Sequence, residues 1–158
     1  MKILVLCTGN SARSILLEHL LNARGQGRVT AYSAGSQPAG KVHPQSLRLL
    51  EHLGYDTSRA RSKSWSEFEL ETAPVMEAVI TVCASAAGET CPIWPGAPVR
   101  AHWGVEDPAA TAEPDWEAAF TDAYKILERR TEAFLAEPIE TMSTAELKAS
   151  LDHAGQVS

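Results

Sequence analysis

Cysteine is scarce in this chain of 158 residues: there are three, at positions 7, 83 and 91. So few, and odd in number, they do not suggest a structural disulfide framework. Reactive thiols, metal ligands and inert core residues all remain open. Long apolar runs are absent, and no stretch nears the roughly 20 residues that a membrane span requires. The apolar run at residues 3–6 is too short for the core of a secretory signal and is cut off by CTGNS, so a cytoplasmic protein is expected. Basic runs are missing too: the longest is Arg129-Arg130, in a chain of net charge −6. That argues against a nucleic-acid partner. It leaves room for a small anion, which needs only a local positive site. There are no repeats, low-complexity segments or interdomain linker.

What is present fits one ordinary globular domain, with 44% apolar and 22% charged residues. KILVL (residues 2–6) is a continuous apolar run of the kind a buried parallel strand shows. SARSILLEHLLNARG predicts a helix with Ile15, Leu16, Leu20 and Ala23 on one side and Gly25 as its stop. RVTAYSAGS reads as a second strand and HPQSLRLLEHLG as a second helix, with Pro44 in its first turn. SKSWSEFELE predicts a short helix. MEAVITVCAS is a third strand ending at Cys83, and APVRAHWG a short fourth. The longest helix lies within residues 106–138, with Trp116, Phe120, Ala123, Leu127 and Phe134 near one stripe. Residues 143–158 read as a loose helix with a frayed end. Strands alternating with helices predict an α/β fold, a three-layer sandwich around a four-stranded parallel sheet. In such sheets ligands bind beyond the carboxyl ends of the strands, where Cys7 and Cys83 both fall.

CTGNSARS, residues 7–14, joins the first strand to the first helix, with five residues between Cys7 and Arg13. A loop this short curls its backbone N–H groups inward into a nest for a tetrahedral oxyanion, and the helix start adds partial positive charge. Thr8, Gly9, Asn10, Ser11, Ala12, Arg13 and Ser14 would line that anion. Gly9 offers a positive φ or a close backbone approach, and Arg13 can fork onto two oxygens. The same field predicts a low pKa for Cys7, whose thiolate is then arranged for in-line attack on the central atom. A buried strand-end cysteine followed by a mere turn is the plainer alternative; glycine, arginine, serine and the strand-to-helix context agree on the cradle. Asn10 can shape the loop through its side chain, and Ser14 can hydrogen-bond the Cys7 sulfur.

These residues resemble the phosphate-binding loop of low-molecular-weight protein tyrosine phosphatases, and still more that of the arsenate reductases built on the same fold. The resemblance runs to about Leu135 and includes CTGNSARS, SAGS, TVCASAAGETCP and HWGVEDPA. It implies a flavodoxin-like, phosphatase-like domain at residues 1–137 and a C-terminal tail at 138–158 that can carry a short helix. It also implies that Asp107, in Asp107-Pro108, is the general acid; Asp-Pro alone would be an ordinary turn pair, and Glu106 is the lesser candidate. Phosphatases of the family usually have tyrosine just after the Asp-Pro, where this chain has Ala109 and Ala110. Many also carry cysteine where Ala12 stands.

The resemblance implies a thiol relay. Cys7 attacks arsenate, Cys83 attacks Cys7, and Cys91 draws the disulfide to the Cys83–Cys91 pair for an external reductant. The small-residue segment ASAAGET between the two later cysteines reads as free to move. No bound cofactor is expected. Electrons would come from thioredoxin, or from glutathione with glutaredoxin, and phosphate or sulfate would mimic arsenate. A zinc site from Cys83, Cys91 and His102 lacks close ligand pairs, and no metal is expected. Some relatives hold potassium through residues matching Asn10, Glu18 and Ser33 plus an acidic residue; Lys63 stands at that last position, and its ammonium can replace the ion. His102 is given no chemistry, Trp94 and Trp103 read as packing, and a monomer is expected. Two other functions stay open: a phosphatase for small or tyrosyl phosphomonoesters, and a non-catalytic oxyanion-binding module.

Overall fold

The computed structural model describes residues 1–88, 94 and 96–158. Its centre is a parallel sheet of β1 (Lys2–Leu6), β2 (Thr30–Ala34), β3 (Ala78–Thr81) and β4 (Val99–His102), in the order β2-β1-β3-β4. Leu4 pairs with Tyr32 on one side and with Val79 on the other. Both faces of β1 are covered, which is why its run is apolar without alternation. Ile3 and Val5 enter the larger core with α1 (Arg13–Gly25), α2 (Pro44–His52) and α4 (Trp116–Leu135). Leu4 and Leu6 face a smaller core of Ala34, Phe68, Met76, Val79 and Trp94. From β1 the chain first turns outward to β2 and later returns to the other side at β3. The carboxyl ends of β1 and β3 therefore bound the crevice where a ligand fits this architecture.

Several elements differ from expectation. The third strand stops at Thr81, and Ala84–Gly88 forms a short helix, α3, where the sequence suggested an irregular link. Three of its five residues are alanine, the strongest helix former. The short helix expected over 62–71 is a single 3₁₀ turn, Trp65–Phe68. Gly25 ends α1, but the left-handed residues that stop it are Gln26 and Gly27.

The chain end is not loose. Thr144–Gly155 is a helix, α5, opened by a capping box in which Ser143 and Glu146 bond each other's backbone N–H. Leu147, Leu151 and Ala154 are buried in the larger core with Trp103 and Phe134, and Trp103 Nε1 donates to the Leu151 carbonyl at 2.8 Å. Among the described residues, no helix is long and apolar enough to cross a membrane.

Candidate functional site

Residues 7–14 leave β1 and enter α1 around a tight curl whose carbonyls are drawn outward. Gln37 N–H donates to Thr8 O at 3.0 Å, Ala39 N–H to Gly9 O at 2.9 Å and His43 N–H to Ser11 O at 3.0 Å. The hydroxyls of Ser62 and Ser46 add bonds to Gly9 O and Ser11 O. With the carbonyl edge held outside, the amide edge lines the inside. Among the described residues no acceptor meets the amides of Gly9, Ser11, Ala12 and Arg13. Ala12, at the N-cap of α1, offers no side-chain cap, so the helix start is left to a ligand.

The left-handed residue of the curl is Asn10 at φ 45°, not Gly9. Asparagine tolerates this conformation, and here its fully buried amide fixes it: Nδ2 donates to Ser14 Oγ at 2.9 Å and Oδ1 accepts from Lys63 N–H at 2.9 Å. Ser14 Oγ thus accepts from Asn10. The glycine that the loop needs is Gly35, in SAGS: a Cβ there would press on Thr8 O and stand 2.6 Å from Cys7 O.

Cys7 and Cys83 stand side by side at the base of the curl, close enough for each thiol to shift the other's ionisation. Both residues are buried free thiols. Cys83 Sγ accepts from Ala86 N–H at 3.4 Å and lies 3.7 Å from Thr8 Oγ1. The neighbouring Cys7 thiol brings the Cys83 thiol down to about 5, and the Thr8 and Ala86 groups add to this against the cost of burial. Cys7 moves the opposite way. The Cys83 thiol beside it and its burial push it up, and Arg13 opposes them only in part. The low Cys7 pKa expected from the loop's field is therefore not found. Donors from Thr8 and α3 draw the pair's negative charge to Cys83.

Arg13 reaches across the mouth with Nη1 on the Val105 carbonyl at 2.8 Å and Nη2 3.6 Å from Asp107 Oδ2. Its Nε is buried without a partner. A buried, unpaired guanidinium N–H costs free energy on the order of 1–3 kcal/mol. Asp107 caps the 3₁₀ turn Pro108–Ala110 through Oδ1, which accepts from Ala109 N–H at 3.0 Å. The neighbouring Glu106 is exposed. Lys63 places its ammonium between Glu18 Oε2 at 3.7 Å, Ser33 Oγ at 3.5 Å and the Arg61 carbonyl at 3.4 Å. Burial draws its pKa down and Glu18 opposes this.

The structure thus gathers Cys7, Thr8, Gly9, Asn10, Ser11, Ala12, Arg13, Ser14, Cys83 and Asp107 around one crevice. Cys91 lies outside the described residues. His102 hydrogen-bonds Thr81 Oγ1 through Nδ1 at 2.7 Å. No group of three or more His, Cys, Asp or Glu side chains suited to a metal occurs among the described residues. Sequence reasoning overlooked the clasp around the loop, made by Gly35, His43 and Ser46; its one legible trace is the glycine of SAGS.

Comparison with known proteins agrees with this geometry. The family described as low molecular weight phosphotyrosine protein phosphatase matches residues 2–150. An arsenate reductase of Halalkalibacterium halodurans is 33% identical over 132 residues, covering 82% of this chain and 91% of that protein. A solved arsenate reductase in a phosphate-binding state superposes with TM-score 0.70 at 25% identity, over 85% of this chain and 96% of the other. A thioredoxin-dependent arsenate reductase of Corynebacterium glutamicum shares the fold with TM-score 0.60 at 24% identity, over 83% of this chain and 58% of that one. The chain belongs to the low-molecular-weight phosphotyrosine protein phosphatase family and is similar, within it, to arsenate reductases.

Proposed function

We propose that this protein reduces arsenate to arsenite with its own thiols. One observation carries the proposal: a second thiol, Cys83, stands beside Cys7 beneath an anion cradle. A phosphatase needs one sulfur there, whereas two-electron reduction of arsenic(V) needs two. The arsenate oxygens take the loop amides and Arg13, including its unpaired Nε. The Cys7 proton passes to the neighbouring Cys83 thiolate, and the Cys7 thiolate forms an S–As bond. One arsenate oxygen departs as water, with Asp107 supplying the proton. Cys83 releases that proton to solvent and attacks Cys7 Sγ; the S–As bond breaks with its electron pair on arsenic, and arsenite leaves. Two thiols have been oxidised to a Cys7–Cys83 disulfide and arsenic(V) reduced to arsenic(III). Cys91 thiolate then attacks Cys83, freeing Cys7 and presenting a Cys83–Cys91 disulfide. An external dithiol closes the cycle; thioredoxin is the choice, in line with the dependence named for the Corynebacterium relative.

The test sets Cys83→Ser against wild type in two assays. Arsenate-dependent NADPH oxidation through thioredoxin and its reductase should fall to background, while hydrolysis of an aryl phosphate, which needs only Cys7, Arg13 and Asp107, should persist. Arsenate turnover at the wild-type rate in Cys83→Ser would refute the relay.

A further inference from the structure

His43 stands where three parts of the site meet. Its backbone N–H donates to Ser11 O, the outward carbonyl of the loop. Its side chain caps α2: Nδ1 accepts from Gln45 N–H at 3.0 Å. Its ring packs edge-on to Trp116, 4.5 Å between centroids, and against Phe120 at 4.8 Å. The turn that it caps contains Ser46, whose hydroxyl is the second hold on Ser11 O at 2.9 Å. The first turn of α2 is thus the clasp that keeps the Ser11 carbonyl outside, and the loop amides inside.

An imidazole nitrogen accepts a hydrogen bond only while it lacks a proton; in the imidazolium both nitrogens are donors. We propose that His43 is a positioning residue whose protonation opens this clasp: the neutral ring caps α2 and holds the oxyanion loop, and the imidazolium cannot. The proposal rests on the reading of residues 7–14 as an oxyanion cradle, and it adds a pH-dependent control on that cradle from outside it.

The surroundings support a neutral ring at neutral pH. A positive charge at a helix N-terminus meets the positive end of the helix dipole. Burial moves His43 below its ordinary 6.5; Arg48 of its own helix adds to this and Asp107 opposes it. Among the described residues, those two are the charged groups that act on the ring; Ser11 of the loop and Trp116 and Phe120 of α4 meet it without charge.

Sulfate is the probe, because it stays a dianion throughout the range where histidine titrates. Its affinity is read by amide chemical-shift titration at about pH 7.5 and about pH 5.5. In wild type it should fall on acidification by about fivefold more than in His43→Asn, whose amide oxygen caps at either pH. In His43→Ala it should be weak at both. A simple charge effect has the opposite sign, because an added positive charge near the cradle would tighten sulfate. Equal pH dependence in wild type and His43→Asn, or tighter wild-type binding on acidification, would overturn the proposal. A second readout needs no variant: the Gln45 amide resonance should shift with the His43 ring resonances and share their midpoint, and a Gln45 amide indifferent to that titration would also overturn it. Wild type that binds no sulfate at either pH would overturn the cradle itself, and this proposal with it.

Discussion

Cys7 and Cys83 are neighbouring buried thiols, and Cys83 loses its proton readily. The Cys83 thiol, drawn from its ordinary 9.0 to about 5, gives the pair a negative charge above that pH. The sign follows. A group whose pKa is depressed on folding adds stability that is full above the unfolded value and is lost as pH falls to the folded one, so this contribution declines from about pH 9 down to about pH 5. The thiolate absorbance of the reduced protein near 240 nm should show a step with its midpoint near 5, absent from Cys83→Ser. Absorbance rising only in the ordinary range, about 8.5, would contradict it. Cys7, Arg13 and the anion loop were legible in CTGNSARS because spacing and residue type suffice for them. Where the charge sits was not, since it depends on burial and on the Ala86 amide of α3, a helix too short to show periodicity.

The crevice works because neighbouring elements hold the loop from behind. Gly35 lets the chain after β2 pass against Cys7 and Thr8, and α2 clasps Ser11. On the far side, α5 closes the core over β4. Leu151 is fully buried there, and deleting a buried leucine side chain typically costs 2–5 kcal/mol. Leu151→Ala should lower the unfolding free energy by about 3 kcal/mol in urea titrations; a change below about 0.5 kcal/mol, as for an exposed position, would mean that the chain end contributes no core. The long amphipathic elements α1 and α4 were readable from their stripes. The packing of α5 was not, because few apolar residues mark its face. Ser143-x-x-Glu146 was the one local sign of where it begins.

At the scale of the whole molecule, topology brings the chemistry together. Thr8 and Cys83 are 75 positions apart in the chain, yet they touch because β1 and β3 are adjacent parallel strands whose carboxyl ends share an edge. That the strands run parallel could be anticipated from the alternation of strands and helices. The contact between the two sulfurs could not, since the strand ends bring them to one rim but only the curl of residues 7–14 and the turn into α3 close the remaining gap. That contact is the centre of the account, and a single turnover tests it directly. Reduced Cys91→Ser is mixed with arsenate and no external reductant, thiols are then alkylated, and the peptides are mapped by mass. One arsenite per chain, together with a peptide pair joined by a Cys7–Cys83 disulfide, is the predicted result. Both cysteines alkylated and no arsenite released would contradict it.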